Sequence, residues 1–308
     1  MAPDPHPLQM RVVRALTPAD RGAVLQFLAD AREREGRQLD DHLVADLRSP
    51  RDGFAAAIVE RSTPEGGQYV LGYAQATSAN DGSIVDALVA TNCPGDHDEQ
   101  RLRLLAAVID QLPTGEQVTW WAHNPQHDLA LATTLGMSAH RALLQMRRPL
   151  PLEPTHLAGG LAPTRPFQPG HDEAAWLEVN NAAFRWHGEQ GGWDLPTLQQ
   201  RQHEPWFSPA GFLLHEHDGQ LVAFCWTKLH PSGVGEIYVI AVHPSAHGRG
   251  LGKALTVAGL HHLASVGATE AMLYVDAENH GAVRLYEHLG FHTAQIDQAF
   301  RREASVNA

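Results

Sequence analysis

His243-Pro244-Ser245-Ala246-His247-Gly248-Arg249-Gly250-Leu251-Gly252-Lys253-Ala254-Leu255 is the stretch on which the reading of this chain turns. A β-rich run, Ile237-Tyr238-Val239-Ile240-Ala241-Val242, enters it, and a helical pattern with apolar Leu251, Ala254, Leu255, Ala258 and Leu263 leaves it. Glycines at 248, 250 and 252 let the backbone turn sharply and approach a ligand. The N–H groups of the first helical turn then have no partner within the helix, which with the helix dipole makes an anion site suited to a pyrophosphate. Arg249 and Lys253 add positive charge. A Walker A loop is excluded, because Ala254 follows Lys253 where a magnesium-binding hydroxyl is required. The G-x-G-x-G spacing also departs from the G-x-G-x-x-G of a dinucleotide-binding βαβ unit.

Working outward, the same order of elements occurs twice. Leu71–Thr77 and Val222–Lys228 read as strands, each followed by a second strand (Ser83–Val89; Glu236–Val242) and then a helix (Gln100–Leu112; Leu251–Val266). A third strand follows (Val118–Ala122; Ala271–Val275), and each copy closes on Leu135-Gly136-Met137 or Leu289-Gly290-Phe291. Matched positions are offset by 151 to 154 residues, as a duplication of one α/β unit would give. His217-Asp218-Gly219-Gln220 reads as a hairpin turn, so the sheet is expected to be mixed and mostly antiparallel, with flanking helices. Pro149, Pro151, Pro154, Pro163, Pro166 and Pro169 mark a linker. The expected domains are 1–148, a linker over 149–169, 170–302, and a tail over 303–308.

Composition narrows the function. The 308 residues suit two domains, and 35 acidic against 23 basic residues give a net charge of −12. No basic stripe for nucleic acid occurs, and neither an apolar run long enough for a membrane span nor a signal sequence, so a cytoplasmic protein is expected. Cys93 and Cys225 form no C-x-x-C, and Cys225 lies in an apolar strand, reading as core rather than nucleophile. His243 and His247 are four apart, but Pro244 and the glycines oppose an aligning helix; no metal is expected.

Some 30 residues beyond the glycine loop, Asn279-His280-Gly281-Ala282-Val283-Arg284-Leu285-Tyr286-Glu287-His288-Leu289-Gly290-Phe291 changes the weight of these signals. His247 to Gly252 resembles the Q/R-x-x-G-x-G/A motif of the GNAT superfamily of acetyl-CoA-dependent N-acetyltransferases, with His in place of Gln or Arg. Asn279 to Phe291 resembles that superfamily's N-x-x-A-x-x-L-Y-x-x-x-G-F. Asn180–Phe184, His187–Trp193, Phe224–Pro231 and Gln145–Leu150 are further similar to the mycothiol synthase family, a tandem-domain branch found in actinobacteria. That family acetylates the cysteinyl amine of a cysteinyl-glucosaminyl-inositol conjugate.

The resemblance implies roles residue by residue. Backbone at Ile240, Ala241 and Val242 would pair with the pantetheine arm of acetyl-CoA. His247, Gly248, Arg249, Gly250, Leu251, Gly252 and Lys253 would hold the pyrophosphate, and Asn279, His280, Gly281, Ala282, Val283 and Arg284 would border the rest. Tyr286 would be the general acid and Glu236 the base, acting directly or through water. Asp41, Glu189, Lys228, Glu236 and Tyr274 would bind the thiol-sugar substrate. In the first half the loop reads Thr91-Asn92-Cys93-Pro94-Gly95-Asp96-His97-Asp98-Glu99, whose acids would repel a pyrophosphate; that half is expected to be catalytically inactive, with Leu88, Val89 and Ala90 left for weak backbone contact with a second acetyl-CoA. A monomer acting by direct attack in a ternary complex is expected. The rival readings are an N-acetyltransferase for another small amine, such as an aminoglycoside, and a CoA-binding regulatory module without turnover.

Overall fold

The structure, a computed structural model, describes residues 8–35, 37, 39, 41–48, 53–62, 68–79, 82–122, 124–157, 161–185 and 191–304. In chain order the first elements are β1 (Gln9–Val13), α1 (Pro18–Glu35), α2 (Asp41–Arg48), β2 (Ala55–Ser62), β3 (Gln68–Ala79), β4 (Gly82–Val89), α3 (His97–Ile109), β5 (Val118–Ala122), α4 (Pro125–Thr134) and β6 (Ser138–Pro149). Then come α5 (Pro154–Leu157), β7 (Arg165–Pro166), α6 (Glu173–Ala183), α7 (Leu195–Gln202), β8 (Phe212–His217), β9 (Gln220–Leu229), β10 (Val234–Val242), α8 (Leu251–Ser265), β11 (Glu270–Asp276), α9 (His280–His288) and β12 (His292–Arg302).

Two compact units result, and each includes a strand from the other half of the duplicated plan. Unit 1 comprises Met1–Arg141 and Asp297–Ala308; unit 2 comprises Ala142–Ile296. In unit 1 the strands run β1-β2-β3-β4-β5-β12, antiparallel except for β4 beside β5. In unit 2 the order is β6-β11-β10-β9-β8-β7, antiparallel except for β10 beside β11. Hence β12 closes unit 1 through pairs such as Phe300 with Trp120, and β6 closes unit 2 through pairs such as Met146 with Leu273. The duplicated halves trade their last strands. The expected division at 149–169 therefore falls inside unit 2, where Pro149 ends β6 and the segment supplies α5 and β7. Arg148 explains why this Pro-rich stretch packs: its guanidinium is almost fully buried and donates to the carbonyls of Pro149 and Leu289 and to Glu153 Oε2 at 3.1 Å.

In unit 2 both faces of the sheet are covered, so β9 reads as a continuous apolar run rather than an alternating one. Ala223 and Cys225 point into a core with Leu255, Leu260 and Leu263 of α8. Phe224 and Trp226 point the other way into an aromatic core with Trp176 of α6 and Phe212 of β8, whose ring stacks on Trp226 at 4.2 Å. Gly259 lets α8 lie close to the sheet: a Cβ there would sit 2.6 Å from Cys225 Sγ and 2.7 Å from Ile237 Cδ1.

Candidate active site

β10 carries the local feature that makes the site. It pairs with β9 as far as Val242, but with β11 only over Val234–Ile237. Beyond Ile237 the two parallel strands part, leaving the β11-facing edge of 238–242 without a ladder. A bulge at Tyr238 accompanies the opening and reverses the side-chain alternation. Ile237 and Ile240 both face the α8 core, while Val239 and Ala241 face the aromatic core.

On the α8 side lies a cleft of about 480 Å³. Ile240, Ala241 and Val242 form one wall; Ala246, His247, Gly248, Gly250, Leu251, Gly252 and Lys253 the floor; Thr256, Asn279, Ala282, Leu285 and Tyr286 the rest. Gly248 and Gly250 have φ of 77° and 75°, left-handed values that favour glycine, and added Cβ atoms there would meet nothing within 4 Å. Gly250 is the N-cap of α8 and offers no side-chain cap, so the first-turn N–H groups face the cleft. His247 fills the place of the motif's Gln or Arg by closing the loop: its Nε2–H donates to Val242 O at 3.0 Å. Asn279 caps α9, its Oδ1 accepting from Ala282 N at 3.2 Å. Of the residues expected to border a cofactor, Arg249, His280, Gly281, Val283 and Arg284 do not line this cleft. Thr256, which the sequence reading passed over, does; its hydroxyl donates to Gly252 O at 2.8 Å. Its signal was the i, i+4 spacing from Gly252.

Tyr286 is buried on α9, its ring 5.8 Å from that of Phe291, and its hydroxyl has no hydrogen-bond partner among the described residues. Burial, with a smaller contribution from Cys225, pushes its phenol above the ordinary range, so it holds its proton. Burial likewise pushes the Cys225 thiol up to about 12, which suits a core residue and not a thiolate nucleophile.

Glu236 lies on the opposite face of the sheet from Tyr286. It pairs across the ladder with Lys228, and Lys228 Nζ stands 3.9 Å from Glu236 Oε2 while sitting over the rings of Trp206 and Tyr238 at 5.0 and 5.5 Å. His230 Nε2 is 2.7 Å from the same oxygen. Tyr274 of β11 shares this face, by the strand's alternation, and its hydroxyl accepts from Gln145 Nε2 at 2.7 Å. Lys228, Glu236 and Tyr274 are thus gathered on one face, the cofactor motifs on the other, and the parted strands lie between. Glu189 falls outside the described residues, and Asp41 opens α2 with its side chain likewise outside them. Among the described residues no cluster of three or more His, Cys, Asp and Glu is placed to hold a metal.

Unit 1 has the same parted strands, since β4 pairs with β5 only over Ser83–Val85. Its helix start differs. Asp96 caps α3, its carboxylate accepting from Asp98 N at 2.9 Å and Glu99 N at 3.0 Å, so an anion is already built in. Val89 O accepts from Arg37 Nη1 at 2.7 Å, and Ala90 N donates to Leu71 O at 2.8 Å.

The family model described as acetyltransferase (GNAT) family matches residues 176–291. A mycothiol acetyltransferase from Streptomyces coelicolor is 41% identical over 310 residues, covering 97% of this chain and 96% of the relative. One from Thermobispora bispora is 41% identical over 318 residues, covering 96% and 100%. Among solved structures, a GCN5-related N-acetyltransferase from Sphaerobacter thermophilus superposes with a TM-score of 0.66 at 23% identity, over 96% of this chain and 95% of its own. A tandem GNAT protein from the clavulanic acid biosynthesis pathway gives 0.64 at 17%, over 98% and 100%. These two likenesses show the fold: tandem GNAT units.

Proposed function

The chain belongs to the mycothiol acetyltransferase family within the GNAT acetyltransferases, and from that premise we propose that unit 2 transfers acetyl from acetyl-CoA to the cysteinyl amine of cysteinyl-glucosaminyl-inositol. The observation that carries the reading is the uncapped start of α8 opening on a cleft that reaches Tyr286, with Glu236 and Lys228 across the parted strands. An uncapped, glycine-lined helix start fits a pyrophosphate by its donors and its dipole, and Lys253 adds charge at the rim. Bound acetyl-CoA supplies an activated acyl group as a thioester.

The residues of the chain supply the rest. An amine attacks only when neutral, so the cysteinyl ammonium has to give up a proton. Glu236 Oε1, which has no partner among the described residues, is the acceptor in this reading. Tyr286, kept protonated by its burial, donates to the departing sulfur. Lys228 and Tyr274, and by resemblance Glu189 and Asp41, hold the sugar and inositol. Attack is direct in a ternary complex, in keeping with both cysteines being buried and their thiols pushed up by burial. Unit 1 is catalytically inactive here, because Asp96 occupies the N–H groups that Gly250 leaves open. A monomeric, cytoplasmic enzyme belongs to the same proposal.

The test is turnover with two acceptors, the cysteinyl-glucosaminyl-inositol conjugate and an aminoglycoside, following CoA release. Release with the conjugate at a kcat/KM at least tenfold above the aminoglycoside supports the reading. The reverse preference gives the site to another amine, and acetyl-CoA binding with release from neither makes it a sensor.

A further inference from the structure

His230, within the Phe224–Pro231 stretch, takes no part in the acetyl transfer as proposed above, yet it lies against the base. Its Nε2 lies 2.7 Å from Glu236 Oε2, and a carboxylate only accepts, so Nε2 carries the hydrogen of that bond. The backbone of His230 is fixed by the turn that joins β9 to β10: His230 N donates to Val234 O and Gly233 N donates to His230 O, both at 2.9 Å. Gly233 has φ 83°, a left-handed value that favours glycine at this point of the turn. The side chain of Glu236 is only 8% exposed, that of His230 22%.

Lys228 makes the arrangement informative. Its ammonium bears on the same Oε2 at 3.9 Å, beyond hydrogen-bond reach, and is drawn off over Trp206 and Tyr238. Both cationic or donor groups therefore address one oxygen, and Oε1 is left unengaged among the described residues. With His230 absent, only the two rings draw Lys228 away from the carboxylate, and an ammonium that closes on it competes with the proton that the base has to collect.

We propose that His230 is a positioning residue for the acetyl transfer: its Nε2–H pins Oε2 of Glu236, holds the carboxylate off Lys228, and presents Oε1 to the substrate amine. The proton passes from the ammonium nitrogen to Oε1, and none passes through the imidazole. The inference rests on the reading of Glu236 as the base.

The test compares His230→Leu, His230→Gln and Glu236→Gln with the wild-type chain, each with its thermal melt. Gln keeps an N–H at about the reach of Nε2 but cannot carry a proton through. His230→Leu is expected to lower kcat by about tenfold or more with KM for the conjugate within about twofold, and His230→Gln to recover to within about threefold of wild type. A readout independent of turnover is the ¹⁵N spectrum of the histidines in the full wild-type chain without substrates, with His230 assigned by its loss in His230→Gln; Nε2 is expected to carry the hydrogen. A bare Nε2, a His230→Leu enzyme as fast as wild type, or a Gln variant as slow as Leu would each overturn the proposal. If Glu236→Gln is slow while His230→Leu is fast, the positioning role alone falls. If Glu236→Gln is as fast as wild type, the base assignment falls and takes the positioning role with it.

Discussion

Asp96 and Gly250 stand at the same point of the duplicated plan, each the N-cap of the helix that follows the parted strand, and they do opposite things there. The Asp96 carboxylate accepts from the N–H groups of Asp98 and Glu99, whereas Gly250 makes no side-chain cap and leaves those of α8 to the cleft. This position therefore marks the contrast between a self-satisfied helix start and the uncapped one proposed as an anion site.

Gly250→Asp is accordingly expected to install the competing carboxylate and weaken acetyl-CoA binding by at least about tenfold, read by calorimetry. Gly250→Asn, neutral and tolerant of the left-handed φ of 75°, is the control and should lose much less. Equal losses in both would mean that the backbone, not the charge, matters.

Tyr286→Phe should lower kcat by about tenfold or more while the melting temperature stays near that of wild type. The hydroxyl has no partner among the described residues, so removing it breaks no buried hydrogen bond. Because burial raises this phenol above its ordinary value of 10.0, Tyr286 remains a proton donor at pH values where exposed tyrosines ionise. A wild-type kcat that falls through an ionisation absent from Tyr286→Phe, at or below pH 10, would contradict this.

Acid stability should depend on Asp172. Burial pushes its carboxyl up, but Arg165 at 2.7 Å, His171 and the Gln168 N–H outweigh that and hold it at about 2, below the ordinary 3.8. A lowered carboxyl stabilises the fold above its unfolded value, and that contribution drains away as pH falls from about 4 towards about 2. Asp172→Asn should therefore be less stable than wild type at neutral pH, with the gap narrowing across that window in denaturant titrations.

Gly259→Ala sets two effects against each other. In a helix interior Ala is favoured by about 1 kcal/mol. Here the new methyl meets Cys225 Sγ at 2.6 Å and Ile237 Cδ1 at 2.7 Å, both on strands fixed by their ladders. Overpacking of this kind costs about 1–3 kcal/mol, so a lowered melting temperature is expected.

Much of this architecture was legible in the residues. Gly248, Gly250 and Gly252 between an apolar strand and an apolar helix face mark the uncapped helix start proposed as the anion site, and in the second copy of the plan Asp96 caps the matching helix instead. Less could be read where every residue is apolar. Ile237 to Val242 has no alternation to break, so the bulge at Tyr238 left no trace, although it decides that Ile240 faces the cleft. The exchange of β6 and β12 was hidden because a closing strand reads the same whichever unit it joins. Arg148, the last residue before the expected linker, is a buried clasp, a role that no local pattern announces. His230, beside a turn proline, gave no spacing to Glu236 that sequence alone could interpret; only the β9–β10 hairpin brings them together.

The central claim is the site of acetylation, and the most direct measurement is to run the wild-type enzyme with acetyl-CoA labelled with ¹³C at the acetyl carbonyl and the cysteinyl-glucosaminyl-inositol conjugate, then locate the label in the product by NMR. The expected result is one new amide whose carbonyl correlates with the α-proton of the cysteinyl residue. A label on sulfur or on a sugar hydroxyl, or no labelled product from an enzyme that binds acetyl-CoA, would contradict it.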